Sequence, residues 1–219
     1  MQCLVKVIYM FAILGSFDCE DDMNYYSGYN SKHYFFIVHH GVHYTLDHVK
    51  VATIGEGTIS DIPNMESLML DDLRIDKIEP GAFQNLPRFK SLTIRYCYMI
   101  RIDAGVFNNL NITRLTIEVN KRPLRIAAGA FDNMTSLEII RLDRIPLSTW
   151  NPHWFANTPQ LKRIYACDNH LTDLPADAFQ NLNSDNEITI NFAHGSIRKI
   201  HNDAFRAIKK IKLLSLQHN

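Results

Sequence analysis

Residues 81–86 read GAFQNL, and the figure returns as GVFNNL at 105–110, GAFDNM at 129–134, HWFANT at 153–158, DAFQNL at 177–182 and DAFRAI at 203–208. Its phenylalanines are Phe83, Phe107, Phe131, Phe155, Phe179 and Phe205, with successive spacings of 24, 24, 24, 24 and 26. A fixed period of this length marks an array of stacked units rather than a single closed core. Between the phenylalanines runs a second figure: Met65, Leu68, Leu70, then Phe89, Leu92, Ile94, then Ile112, Leu115, Ile117. It continues through Leu137, Ile140, Leu142 and Leu161, Ile164, Ala166, loosens at Ile190 and Phe192, and starts again at Ile211, Leu214, Leu216. The alternating pair in each copy predicts a short strand with one buried face.

These residues resemble the leucine-rich repeat, in the 24-residue form of secreted and cell-surface animal proteins. The resemblance covers residues 49–219, with Val49, Ile54, Ile59 and Ile62 as a degenerate first strand and turn. It implies an α/β repeat solenoid: a horseshoe with a parallel concave β-sheet and a convex side of irregular segments or helical turns. Six full repeats are expected, with a seventh only begun at Asn219, so the chain reads as a fragment of a longer protein. Such repeats commonly place Asn at their ninth position to bond the turn's backbone. Here that position holds Leu73, Cys97, Asn120, Ile145, Asn169, Gly195 and Asn219, so the polar ladder should be incomplete. Two irregularities stand out: an extra residue near Lys121-Arg122-Pro123, and a polar extension at Asn183-Ser184-Asp185-Asn186.

Ahead of the repeats, Lys6 precedes an apolar run from Val7 to Leu14, and Gly15 and Ser16 are small. This predicts a secretory signal over residues 1–16, too short to span a bilayer. Residues 17–48 should form the N-terminal cap, with Tyr34–Val38 and Val42–Leu46 as a hairpin. Removing Cys3 with the signal leaves Cys19, Cys97 and Cys167, an odd number. In an oxidising compartment that suggests one internal bridge and one thiol left free or paired with another chain. Cys97, at a ninth position, reads as a buried structural thiol, and Cys19 and Cys167 are the candidates for an intermolecular link. Asn111-Ile112-Thr113 and Asn133-Met134-Thr135 are acceptor patterns for N-glycosylation, expected to neighbour each other on the outer side.

Lys+Arg and Asp+Glu are 23 each, an even balance that does not suit a general nucleic-acid binder. No nucleophile–base, phosphate-loop or zincin pattern is present, so an enzyme is not expected, nor a cofactor. His33, His39, His40, His43 and His48 cluster, yet residues four apart on a strand lie about 13 Å from each other, so no metal site is expected. The informative surface is the concave sheet. Outward positions fall into columns: Met69, Thr93, Thr116, Arg141, Tyr165, Asn191; then Asp71, Arg95, Glu118, Asp143, Cys167, Ala193; then Asp72, Tyr96, Val119, Arg144, Asp168, His194. Arg95 would sit between Asp71 and Glu118, with Arg141 beside Glu118. The face is either self-neutralised or a partner patch, and Arg95, Tyr96, Arg141, Arg163 and Tyr165 are the candidate anchors, since Tyr and Arg dominate interfaces.

The family resemblance implies an extracellular scaffold that recognises a protein ligand or co-receptor. A narrower similarity, carried by NMESLMLDDLRIDKIEPGAFQNLPR and FANTPQLKRIYACDNHLTDLPADAFQNL, is to the secreted mosquito leucine-rich immune proteins, which implies innate immunity. The alternative is the ectodomain of a membrane-anchored receptor or adhesion protein, Toll-like or connectin-like. A disulfide-linked or edge-to-edge oligomer is a further expectation.

Overall fold

A computed structural model of the chain describes residues 24–30, 33–47 and 50–219. The signal expected over residues 1–16, with Cys3, and Cys19, His48 and Val49 lie outside the described residues.

One sheet of ten strands forms the spine. It begins with an antiparallel meander of β1 (Asn24–Asn30), β2 (His33–His40) and β3 (His43–Asp47). Seven parallel strands follow in chain order: β4 (Ser67–Asp71), β5 (Ser91–Arg95), β6 (Arg114–Glu118), β7 (Ile139–Asp143), β8 (Arg163–Tyr165), β9 (Ile188–Asn191) and β10 (Ile211–Ser215). The hairpin expected in the cap is present as β2 and β3. Its second strand also serves as the first rung of the solenoid, since β3 pairs in parallel with β4 from His43↔Ser67 to Asp47↔Asp71. Tyr44 and Leu46 of β3 join the core, and residues 50–63 carry the return of that rung.

Most of the parallel strands bury alternate residues. In β4, Leu68 and Leu70 face inward while Ser67, Met69 and Asp71 stay half-open, and β5 repeats the pattern with Leu92 and Ile94. No single rung closes this core; stacking does. On the far side the phenylalanines stack as a second spine. Phe107, Phe131 and Phe155 lie nearly parallel at 6.2 and 5.7 Å between centroids. Phe179 and Phe205 stack at 5.7 Å. Trp150 bridges the two stacks, 6.1 Å from Phe155 and 5.3 Å from Phe179, with its indole N–H donated to Ala178 O at 2.8 Å.

The expected solenoid is there, but its convex side carries no helical element. Among the described residues there is no α-helix; turns and four two-stranded ladders make the return path. The cause is local. Gly81, Gly105 and Gly129 open the recurring motif at φ +76°, +78° and +69°, and Asn85, Asn109 and Asn133 close it at +52°, +62° and +56°. Three residues between two left-handed positions allow one tight turn and no helix.

The ninth-position asparagines form the expected bonds. Asn120 accepts from the Met99 N–H at 3.1 Å and donates to Met99 O at 2.8 Å. Asn169 accepts from the Ile145 N–H at 3.1 Å and donates to Leu142 O at 2.7 Å. Asn219 accepts from the Ile197 N–H at 3.0 Å and donates to Phe192 O at 2.8 Å. Gly195 leaves room for Asn219: a Cβ there would stand 2.7 Å from Asn219 Oδ1.

Candidate functional site

The concave columns read from the sequence are in register. Met69, Thr93, Thr116, Arg141, Tyr165 and Asn191 are successive cross-strand partners from β4 to β9. Asp71, Arg95, Glu118 and Asp143 form the neighbouring row. The third column is of another kind. Asp72, Tyr96, Val119, Arg144, Asp168 and His194 all have φ between +45° and +57°, so they are the left-handed residues on which the chain leaves the sheet. Val119, β-branched, is strained in that region.

Charge on this face is organised pair by pair. Arg95 donates to Asp71 at 2.7 Å, and that carboxylate holds the guanidinium's pKa above its usual value. Arg141 does not turn to Glu118 as expected. It donates to Asp143 at 2.7 Å, two residues along its own strand, and lies 4.4 Å from the ring centroid of Tyr165. Asp143 is buried, and its other oxygen accepts the Cys167 backbone N–H at 2.7 Å. Glu118 pairs instead with Arg144, at 3.7 Å. Arg141 is thus pinned between a buried carboxylate and an aromatic face, a charged group whose orientation is set before any partner arrives.

The five candidate anchors divide into two groups. Arg95 and Tyr96 form one, 5.7 Å from guanidinium to ring centroid at the end of β5. Arg141, Tyr165 and Arg163 form the other on β7 and β8, two and three strands away, or about 10 to 14 Å. Arg163 and Tyr165 open on a hollow of about 580 Å³ completed by Lys162, Thr189 and Lys212. The hollow's other walls escape a reading by columns. Lys212 reaches it through a bulge, since Ile188 pairs with Ile211 but Thr189 with Leu213. A smaller hollow of about 350 Å³ lies at the other end of the sheet, beside His43, Ser67 and Lys90. There His43 Nδ1 is 2.7 Å from Ser67 Oγ, and Lys90 pairs with Glu66 at 2.9 Å, which lowers the Glu66 pKa.

A scaffold of register-matched parallel rungs with an amide in the turn points to one family, and the comparison agrees. The model of the BspA-type leucine-rich repeat region matches residues 43–125 and 101–219, in six copies. The chain belongs to the BspA-type leucine-rich repeat family. No curated protein matches it. Among solved structures, the crystal structure of a TLR13–ssRNA13 complex is similar at 15% identity and a TM-score of 0.48. That likeness covers 71% of this chain and 29% of the other, so this leucine-rich repeat chain spans less than a third of that structure's length.

The remaining candidates sit on the repeats as follows. Asn111 and Asn133 are exposed on the loops that lead from the convex turns into the concave strands β6 and β7. Asn111 Oδ1 accepts from Ser136 Oγ, which brings the two acceptor loops together, and Asn133 Oδ1 accepts from Asn157 Nδ2 at 3.1 Å. Cys97 and Cys167 are free thiols. Cys97 is buried in the turn, donating to Arg95 O at 3.3 Å, and burial pushes its thiol up to about 12. Cys167 is half-buried, with burial and then the Asp143 carboxylate pushing it up to about 11. Neither carries much thiolate near neutral pH, which slows disulfide exchange at Cys167. Among the described residues no group of three or more His, Cys, Asp or Glu could hold a metal ion. Nor is any helix among them long and apolar enough to cross a membrane.

Proposed function

We propose that this chain is an extracellular protein-recognition scaffold whose concave face binds a protein partner through Arg141, Arg163 and Tyr165. One observation carries the reading. Arg141 is fixed between Asp143 and the Tyr165 ring, beside the Arg163-lined hollow, so an interface anchor is ordered in advance and little side-chain entropy remains to be lost on binding. Residues 1–16 act as the secretory signal, 17–48 as the cap, and Asn111 and Asn133 carry glycans on the outer side. Arg95 and Tyr96 extend the contact along the sheet. The resemblance to insect leucine-rich immune proteins favours a role in innate immunity.

The test compares the wild-type chain with an Arg163→Glu/Tyr165→Ala variant, both immobilised and exposed to extracellular fluid of the source organism. A protein retained by the wild type and lost by the variant, with thermal unfolding unchanged, supports the concave reading. Equal retention by both overturns it. Asn133→Gln should leave retention intact, and mass spectrometry of the native protein should find an N-terminus near residue 17.

A further inference from the structure

Where β5 ends, residues 95–102 run down the flank of the solenoid in alternation. Cys97 and Met99 are buried, whereas Tyr96 and Ile100 are 41% and 43% exposed, with Tyr98 half-buried between them. Large apolar side chains so open are scarce: the others among the described residues, Ile200, Ile211 and Leu213, all lie in the last two repeats.

Cations frame this ridge. Lys121 Nζ stands 4.8 Å from the Tyr98 ring centroid, and the guanidinium carbons of Arg74 and Arg122 each stand 5.8 Å away. Lys121 and Arg122 come from the irregular turn of the third repeat. They are held in place by Asp72 at 2.5 Å and Asp76 at 3.6 Å, so they shape the site without leaving free charge. Arg74 has no carboxylate within ion-pair reach among the described residues.

A short ladder on the same flank adds a second free cation. Arg101 and Arg125 are direct cross-strand partners, an arrangement that costs free energy unless an anion offsets it. In the two preceding rungs an acid two residues on does so, Glu79 for Lys77 at 2.5 Å and Asp103 for Arg101 at 3.2 Å. At Arg125 the equivalent residue is Ala127, and no carboxylate among the described residues pairs with Arg125.

We propose that this flank is a docking site for an acidic protein segment that carries an apolar side chain. Carboxylates of the segment pair with Arg74 and Arg125, and its apolar side chain packs on the Tyr96–Ile100 ridge. A nucleic acid is the weaker fit, because Tyr98 is flanked by cations and only Tyr96 offers an open face on which a base could stack. A sulfated polysaccharide would leave Ile100 without an apolar partner. The site shares Tyr96 with the concave contact but none of the residues that line its hollow, so Arg163→Glu tests that reading and Ile100→Ser this one.

The probe is a fluorescein-labelled synthetic peptide, Glu-Glu-Leu-Phe-Glu-Glu, titrated with the full chain and followed by fluorescence anisotropy. The comparators are a glutamate-only peptide of equal length, low-molecular-weight heparin and a single-stranded RNA. Saturable binding of the mixed peptide is expected. It should weaken about tenfold in Arg74→Glu/Arg125→Glu and about tenfold in Ile100→Ser, and stay unchanged in Arg163→Glu. Should the charge reversal fail to fold, Arg74→Gln/Arg125→Gln takes its place with the same direction of change. Absence of saturable binding overturns the proposal. So does tighter binding of the glutamate-only peptide, heparin or RNA that ignores Ile100→Ser.

Discussion

At position 97 a thiol occupies the place that Asn120, Asn169 and Asn219 fill with an amide. Its burial links it to pH. The folded chain keeps the Cys97 proton up to about pH 12, whereas the unfolded chain releases it near the ordinary thiol value of 9.0. Stability from this group is whole below pH 9 and falls as pH rises from there, by roughly 1.4 kcal/mol per unit. Urea midpoints at pH 8 and pH 10 should therefore differ more in the wild type than in Cys97→Ala, where the raised Cys167 thiol keeps part of the dependence; equal differences in both would refute the assignment. Asn169 predicts a different loss. Its two amide bonds satisfy buried backbone groups at Leu142 and Ile145, so Asn169→Ala should cost about 1–3 kcal/mol in the same measurement. The amide positions were readable from residue type and spacing. The left-handed third column was not, because Tyr96, Val119 and Arg144 are residues with no taste for positive φ; the sheet's end imposes it.

Among the elements, the convex turn around Trp150 joins two halves of the aromatic spine. The indole lies 5.1 Å from Phe192 and bonds Ala178, so it couples the rungs of β8 and β9 to the stack beneath. Trp150→Ala should cost about 3–5 kcal/mol. Hydrogen exchange should locate the loss, with faster exchange in β8 and β9 and little change in β4 and β5; a uniform change would argue against the bridging role. The phenylalanine period was visible in the sequence, but the bridge was not. Trp150 falls outside the recurring motif, and only packing shows that it spans the gap between Phe155 and Phe179.

For the molecule as a whole, stability is a sum of rungs and interfaces between neighbours. Rungs with neighbours on both sides should open last. Amides of β5, β6 and β7 are therefore expected to exchange most slowly, with protection declining towards β3 on one side and β10 on the other. A flat profile across the sheet would mean that the solenoid unfolds as a single unit.

Identity at a fixed spacing determined the solenoid, the inward leucines and the register of the outward columns, because a repeated residue type at a repeated distance can bury only one continuous core. Tertiary structure decided the rest. It placed the first rung at His43–Asp47, where an aromatic segment without the recurring motif hides it, and excluded helices from the convex side through paired left-handed turns. It also chose Asp143 over Glu118 for Arg141, and brought Arg74, Tyr98 and Arg122 together across successive rungs. Which charge meets which depends on side-chain reach across strands about 4.8 Å apart, a distance that exists only once the rungs have stacked.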